Sequence, residues 1–245
     1  MGAGYVRLRI PLGPAVKLIF GVNIAIFLLQ LIVAYALDFH PASTSRITGW
    51  LALTPEAATS GYLWQLGTYM WLHSTDGIMH ILFNLLVLYF FGPWLEQRWG
   101  SKPFLKYYCL FGLVGGLVYL ASQFLFAPFG IIRGPAVGAS GAISGLICAF
   151  ALYHWKQRLQ FLFQIQLTGR ALLALIVGID LLRLLWGDPL AVEAHWGGML
   201  CAALLLKPDW RSPRLWRLKL TRWRLKRRLR LEPGGKRNGD SRTLH

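Results

Sequence analysis

The sequence predicts an all-α polytopic membrane protein, a bundle of six transmembrane helices with both termini cytoplasmic. Three observations carry that prediction. The 245-residue chain is 55% hydrophobic, and its apolar residues gather into six nearly uncharged runs of roughly 16–23 residues. A helix needs about 20 such residues to cross a ~30 Å hydrocarbon core. The cationic residues partition between alternate loops, as they do in spanning proteins. Small residues recur four apart, as Gly112-x3-Gly116, Gly141-x3-Gly145 and Gly198-x3-Ala202, a spacing that lets helix backbones approach closely in lipid.

In chain order, residues 1–17 form a cytoplasmic N-terminal segment carrying Arg7, Arg9 and Lys17. The first span is Leu18–Leu37, longer than the 7–15 apolar residues of a cleaved signal and therefore read as retained. Asp38–Gly77 is a long outer loop whose Trp50, Trp64, Tyr69 and Trp71 suit the membrane–water interface. The second span is Ile78–Leu95, and the third is Phe104–Phe126, with Gly112-x3-Gly116 for helix contact. The fourth is Ser140–Trp155, the fifth Ala171–Trp186 and the sixth Ala191–Leu206. These spans make up residues 18–206, and residues 207–245 are a basic cytoplasmic tail.

With the N-terminus inside, the inner segments hold Arg98, Lys102, Lys106, Lys156, Arg158 and Arg170 besides both ends, while the outer loops hold only Arg46 and Arg133. The formal charge of +16 reads at first as a nucleic-acid signal. More than half of the 26 Lys and Arg lie between Lys207 and Arg242, so the excess belongs to the tail. Attraction to anionic lipid is the expected consequence, and no nucleic-acid partner is expected. Cys109, Cys148 and Cys201 lie inside apolar spans without metal-ligand spacing and read as buried free thiols. No cofactor or metal is expected.

The chemistry-bearing residues lie in three places. Ser140 opens the fourth span within Gly138–Ala139–Ser140–Gly141–Ala142–Ile143–Ser144–Gly145. His195 stands in the sixth, followed by Trp196–Gly197–Gly198. His80 and Asn84 are one helical turn apart in the second and share a face. Counted from the cytoplasmic ends at ~1.5 Å per residue, Ser140 and His80 rise about 24 Å and His195 about 18 Å. Polar residues at such depth are costly and point to function. Taken singly, each has a plainer reading: a serine bonded to its own helix, a buried neutral histidine, interhelical polar contacts. Their order, depth and glycine context together favour Ser140 as nucleophile, His195 as base, and His80 and Asn84 as oxyanion donors with the Ser140 N–H.

Gly-Ala-Ser-Gly-Ala-Ile, His-x3-Asn and Ala-His-x2-Gly, in the positions just given, resemble the rhomboid family of intramembrane serine proteases. Gly92–Pro93–Trp94–Leu95–Glu96 and Trp99–Gly100–Ser101 also resemble the family's link between second and third spans. The resemblance implies a six-helix rhomboid-like bundle over residues 18–206. It also implies an endopeptidase that cleaves single-span transmembrane protein substrates near the outer face of the bilayer. The small residues Gly138, Gly141, Gly145 and Gly198 are its structural glycines. A multi-pass protein of the bacterial plasma (inner) membrane is the expected location. Two departures stand out: Gln65 follows Trp64 where the family often has arginine, and Ala202 replaces a glycine.

No carboxylate stands in a clear sequence position to orient His195, so a Ser-His dyad is expected. Asp180 and Arg183, at i and i+3 in the fifth span, read as a structural ion pair, with control of substrate access as the alternative. His40, His73, His154 and Glu193 receive no role. Ser144 shares a helix face with Ser140, but only a residue at the helix start presents an N–H without an intrahelical partner.

Overall fold

The computed structural model describes residues 11–34, 49–129, 134–160, 166–186 and 191–206, together with Thr221. The chain falls into two units, residues 1–206 and 207–245. The expectations placed on the basic tail lie almost wholly outside the described residues.

Helices form at all six predicted positions. They are α1 (Pro14–Ile32), α4 (Met79–Trp99), α5 (Ser101–Phe126), α6 (Ser140–Tyr153), α7 (Gly169–Leu185) and α8 (Val192–Leu206). The described part of the loop between α1 and α4 includes the short helices α2 (Pro55–Thr59) and α3 (Gln65–Thr68). Among the described residues, Pro14–Ile32, Met79–Trp99 and Ser101–Phe129 are long and apolar enough to cross a membrane, while α6 and α8 are shorter apolar helices. The all-α prediction needs one correction. Arg158–Gln160 (β1) pairs antiparallel with Gln166–Thr168 (β2), a small hairpin between α6 and α7.

Helix α1 begins four residues before the predicted start, at a proline whose missing N–H costs nothing in a first turn. The Glu96 carboxylate, buried at the other end of α4, accepts from the Ala15 and Val16 N–H groups at 2.8 and 2.9 Å. It also accepts from the Ser101 hydroxyl at 2.6 Å. An anion at a partly buried helix N-terminus stabilises it by up to about 2 kcal/mol. A Cβ at Gly13 would collide with that carboxyl group. Helix α4 therefore runs past the predicted end at Leu95 and through Pro93 to Trp99, where Gly100 breaks it at φ +82°.

Helices α5, α6 and α8 form the tight centre, each packed on the other two. Lipid gives helices little hydrophobic reason to associate, so close backbone approach and dispersion must hold them. The small residues supply that approach. A Cβ on Gly198 would strike the Gly141 carbonyl. One on Gly115 would sit 2.7 Å from the Ala194 carbonyl, and one on Gly145 would lie 2.5 Å from the Phe111 ring. Gly112, predicted as a contact between spans, faces Ala142 of α6, and Gly112 and Gly116 also receive Met70, Tyr69 and Leu53 from the loop. Cys148 and Cys201 are buried as expected, but Cys109 is exposed because it lies on the outward side of α5.

The loop before α4 is fastened to the segment that leads into α6. Leu53 and Ala136 exchange backbone hydrogen bonds at 3.0 and 2.9 Å, and the Gly138 N–H donates to the Tyr69 carbonyl at 2.9 Å. The buried Tyr69 hydroxyl in turn donates to the Gly112 carbonyl at 2.6 Å. These ties fix the chain just before Ser140.

Candidate active site

Ser140 is the first residue of α6, with Ala139 as its cap. The first bond of the α6 ladder runs from the Ile143 N–H to the Ala139 carbonyl, so the Ser140 N–H falls outside it. The Ser140 hydroxyl meets His195 Nε2 at 2.8 Å. On the other side of the ring, Nδ1 lies 2.9 Å from Asp180 Oδ1. A carboxylate only accepts, so Nδ1 carries the ring proton and Nε2 turns its lone pair to the serine. The chain thus brings together Ser140 from α6, His195 from α8 and Asp180 from α7.

This geometry corrects the expectation that no carboxylate reaches His195. Asp180 lies five residues before the end of α7 and His195 three residues after the start of α8. Residues on two different helices thus meet at 2.9 Å. Spacing alone pairs Asp180 with its neighbour Arg183, because only contacts along one helix can be counted from it. The available signal was the cost of Asp180: a carboxylate inside an apolar helix needs a partner at depth.

His80 Nδ1 accepts a long bond from the Ser74 N–H, at 3.4 Å. That leaves the proton on Nε2, which is buried and has no partner among the described residues. The same holds for the amide nitrogen of Asn84. Orphaned buried donors are rare enough in folded proteins to demand a reason. Both line, with Ser140, Ser144, Asp180 and His195, a cavity of about 480 Å³ walled by apolar side chains. Gly138, at φ +124°, occupies a backbone region that L side chains avoid. A Cβ there would also come within 2.8 Å of the His80 ring. Gly138 is thus what allows His80 to approach the serine.

A family model described as "Rhomboid domain" matches residues 60–211, more than half of the chain. The chain belongs to the rhomboid family. It is 32% identical over 136 residues to Rhomboid protease GluP of Bacillus subtilis (strain 168), covering 55% of this chain and 25% of that protein. It is 31% identical over 156 residues to mitochondrial RHOMBOID-like protein 12 of Arabidopsis thaliana, covering 59% and 46%. With Rhomboid-like protease 3 of Toxoplasma gondii it shares 28% over 144 residues, covering 59% and 51%. The chain therefore spans from a quarter to half the length of these relatives. Family membership and the long apolar helices make this rhomboid a membrane protein.

The departure at Gln65 has a structural account. Its side chain is fully buried. Its oxygen accepts from the Thr54 N–H at 3.1 Å, and its nitrogen donates to the carbonyls of Gly49 and Trp50 at 3.1 and 3.4 Å. A neutral amide thus satisfies three backbone groups of the loop in this rhomboid. The stacked rings of Trp50, Tyr62 and Trp64 lie beside it on the exposed side of the loop.

His73, given no role from sequence, lies behind His80 with ring centroids 5.2 Å apart. The Gln30 amide of α1 pairs with both its backbone N–H and its carbonyl, at 3.0 and 2.9 Å. Burial, with the neighbouring His80 ring adding to it, pushes the His73 pKa down to about 3. His73 is therefore a neutral wall that backs His80. Among the described residues, no group of three or more His, Cys, Asp or Glu is arranged to hold a metal ion.

Proposed function

We propose that this rhomboid is an intramembrane serine endopeptidase. It cleaves transmembrane helices of other membrane proteins near the outer face of the bilayer, with Ser140 as nucleophile and His195 as base. The observation that carries the reading is the 2.8 Å contact between Ser140 Oγ and His195 Nε2, in a cavity with two donors that have no partner among the described residues.

Ser140 Oγ attacks the scissile carbonyl as its proton passes to His195 Nε2. The oxyanion that forms is met by the Ser140 N–H, His80 Nε2–H and the Asn84 amide. Donors of this kind contribute about 3–4 kcal/mol each to the transition state when fixed in advance. His195 then protonates the leaving amine, and the acyl group stays on Ser140. Water, deprotonated by His195, releases the new carboxyl end.

The position of the site supports the substrate class. An apolar cavity at the start of a short helix accepts an apolar segment, and a single-span protein offers one that can unwind locally. The cytoplasmic assignment of both ends is supported by the basic residues of the inner segments, and the basic tail is an accessory held at anionic lipid.

The test is cleavage of a single-span model substrate by purified protein in detergent, with products mapped by mass spectrometry. The parent is expected to cut within or beside the apolar segment, and Ser140→Ala and His195→Ala to lose cleavage altogether. Undiminished cleavage by folded Ser140→Ala would reject the assignment.

A further inference from the structure

We propose that Asp180 is a positioning residue for His195, so that the site works as a Ser140–His195–Asp180 triad. The inference rests on the proposed roles of Ser140 and His195, and it adds a residue from a third helix, α7.

The geometry has the form such a role requires. Asp180 Oδ1 lies 2.9 Å from Nδ1, on the far side of the ring from the serine. Asp180 is almost fully buried, at 3% exposure, so water does not compete for the bond. Of the residues in α7, only Gly169, Leu172 and Asp180 are buried. A carboxylate inside an otherwise outward-facing apolar helix is an expensive residue to keep. Packing needs alone would be met by leucine. What leucine lacks is an acceptor for Nδ1–H, without which the neutral imidazole can place its proton on either nitrogen. Only one tautomer leaves Nε2 free to take the serine proton.

In the attack step, the Ser140 O–H bond breaks, its proton moves to Nε2, and the imidazole becomes a cation. The carboxylate keeps its charge and its hydrogen bond and faces that cation. No proton passes to Asp180. When the proton leaves Nε2 for the amine, the neutral ring is restored in the same orientation.

The experiment measures kcat, KM and thermal unfolding of the full-length protein in detergent for Asp180→Asn, Asp180→Ala and Asp180→Glu, beside Ser140→Ala. Asparagine nearly conserves the volume but removes the charge and can donate to Nδ1, which favours the wrong tautomer. A positioning role predicts that Asp180→Asn lowers kcat by about 10²- to 10⁴-fold. KM and the unfolding temperature should stay close to those of the parent. Asp180→Glu should recover at least about tenfold over Asp180→Ala, because a carboxylate again reaches the ring. If Asp180→Asn unfolds, the comparison of Asp180→Glu with Asp180→Ala still decides.

The proposal is overturned if Asp180→Asn and Asp180→Ala keep kcat within about threefold of the parent. It is equally overturned if Asp180→Glu is as slow as Asp180→Ala. In either case, loss of cleavage in Ser140→Ala leaves the serine mechanism standing, and its retention removes both readings.

Discussion

Helices α6 and α7 flank the same cavity and are held there by opposite means. Every residue of α6 from Gly141 to Ala151 is buried, with glycine carrying the closest approaches to α5 and α8. Helix α7 turns Leu175, Ile179, Leu181, Leu182 and Leu185 outward. It is pinned at its start, where Gly169 lies against the carbonyls of Ala151 and His154, and again at Asp180 through His195. The nucleophile thus sits on a helix whose position is set by backbone contact. The carboxylate behind the base sits on a helix free over most of its length. The two kinds of support should fail differently: damage to the first costs the fold, and damage to the second costs turnover.

The largest expected effect tests the first half of that contrast. Gly198→Ala drives a methyl group into the Gly141 carbonyl and should cost at least about 3 kcal/mol. It should be read as a large fall in unfolding temperature in detergent. On α7, the outward Leu181→Ala should change stability by no more than about 0.5 kcal/mol. Similar melting losses for the two would break the contrast.

The second prediction concerns the donors on α4. His80→Ala and Asn84→Ala should each lower kcat by about 10²- to 10³-fold with KM little changed, since the donors bind the developing oxyanion and not the substrate carbonyl. Unfolding far below the parent's temperature in both variants would show instead that the side chains hold α4 in place.

The third effect is one of pH and vanishes at neutral pH. His73 is neutral in the folded protein down to about pH 3, whereas an unfolded chain protonates it near 6.5. Between those values the unfolded state binds the extra proton, so folding stability falls as pH falls and is unaffected above the range. The slope is at most about 1.4 kcal/mol per pH unit. Unfolding of the parent and of His73→Phe, compared from pH 8 to pH 4, should diverge in the acid half. Parallel curves would contradict it.

The sequence made the six helix positions legible, because apolar runs and loop charge are properties of contiguous residues. It also singled out Ser140, His195, His80 and Asn84, since polar residues at depth stand out against leucine and carry recognisable glycine contexts. The meeting of Ser140 with His195 was expected, but other contacts between distant segments were hidden. Glu96 reads as the end of a helix until the N-terminus of α1 is seen to sit on its carboxylate. Asp180 reads as a partner of Arg183, and its bond to His195 shows only when α7 and α8 are brought together. The Arg158–Thr168 hairpin is too short for periodicity to separate from a loop. Gly112-x3-Gly116 has the right spacing for helix packing, yet spacing says nothing about which neighbour fills the groove.

Ser140 and Ser144 line the same cavity and lie one turn apart on one helix, so the choice between them is the sharpest check on the mechanism. Only Ser140 is bonded to His195 Nε2, and only its N–H stands outside the helix ladder. The deciding measurement is labelling of the detergent-purified protein with a fluorophosphonate, followed by peptide mapping. Label is expected on Ser140, absent in Ser140→Ala and largely kept in Ser144→Ala. Label that persists in Ser140→Ala and disappears in Ser144→Ala would move the nucleophile to Ser144 and overturn the mechanism.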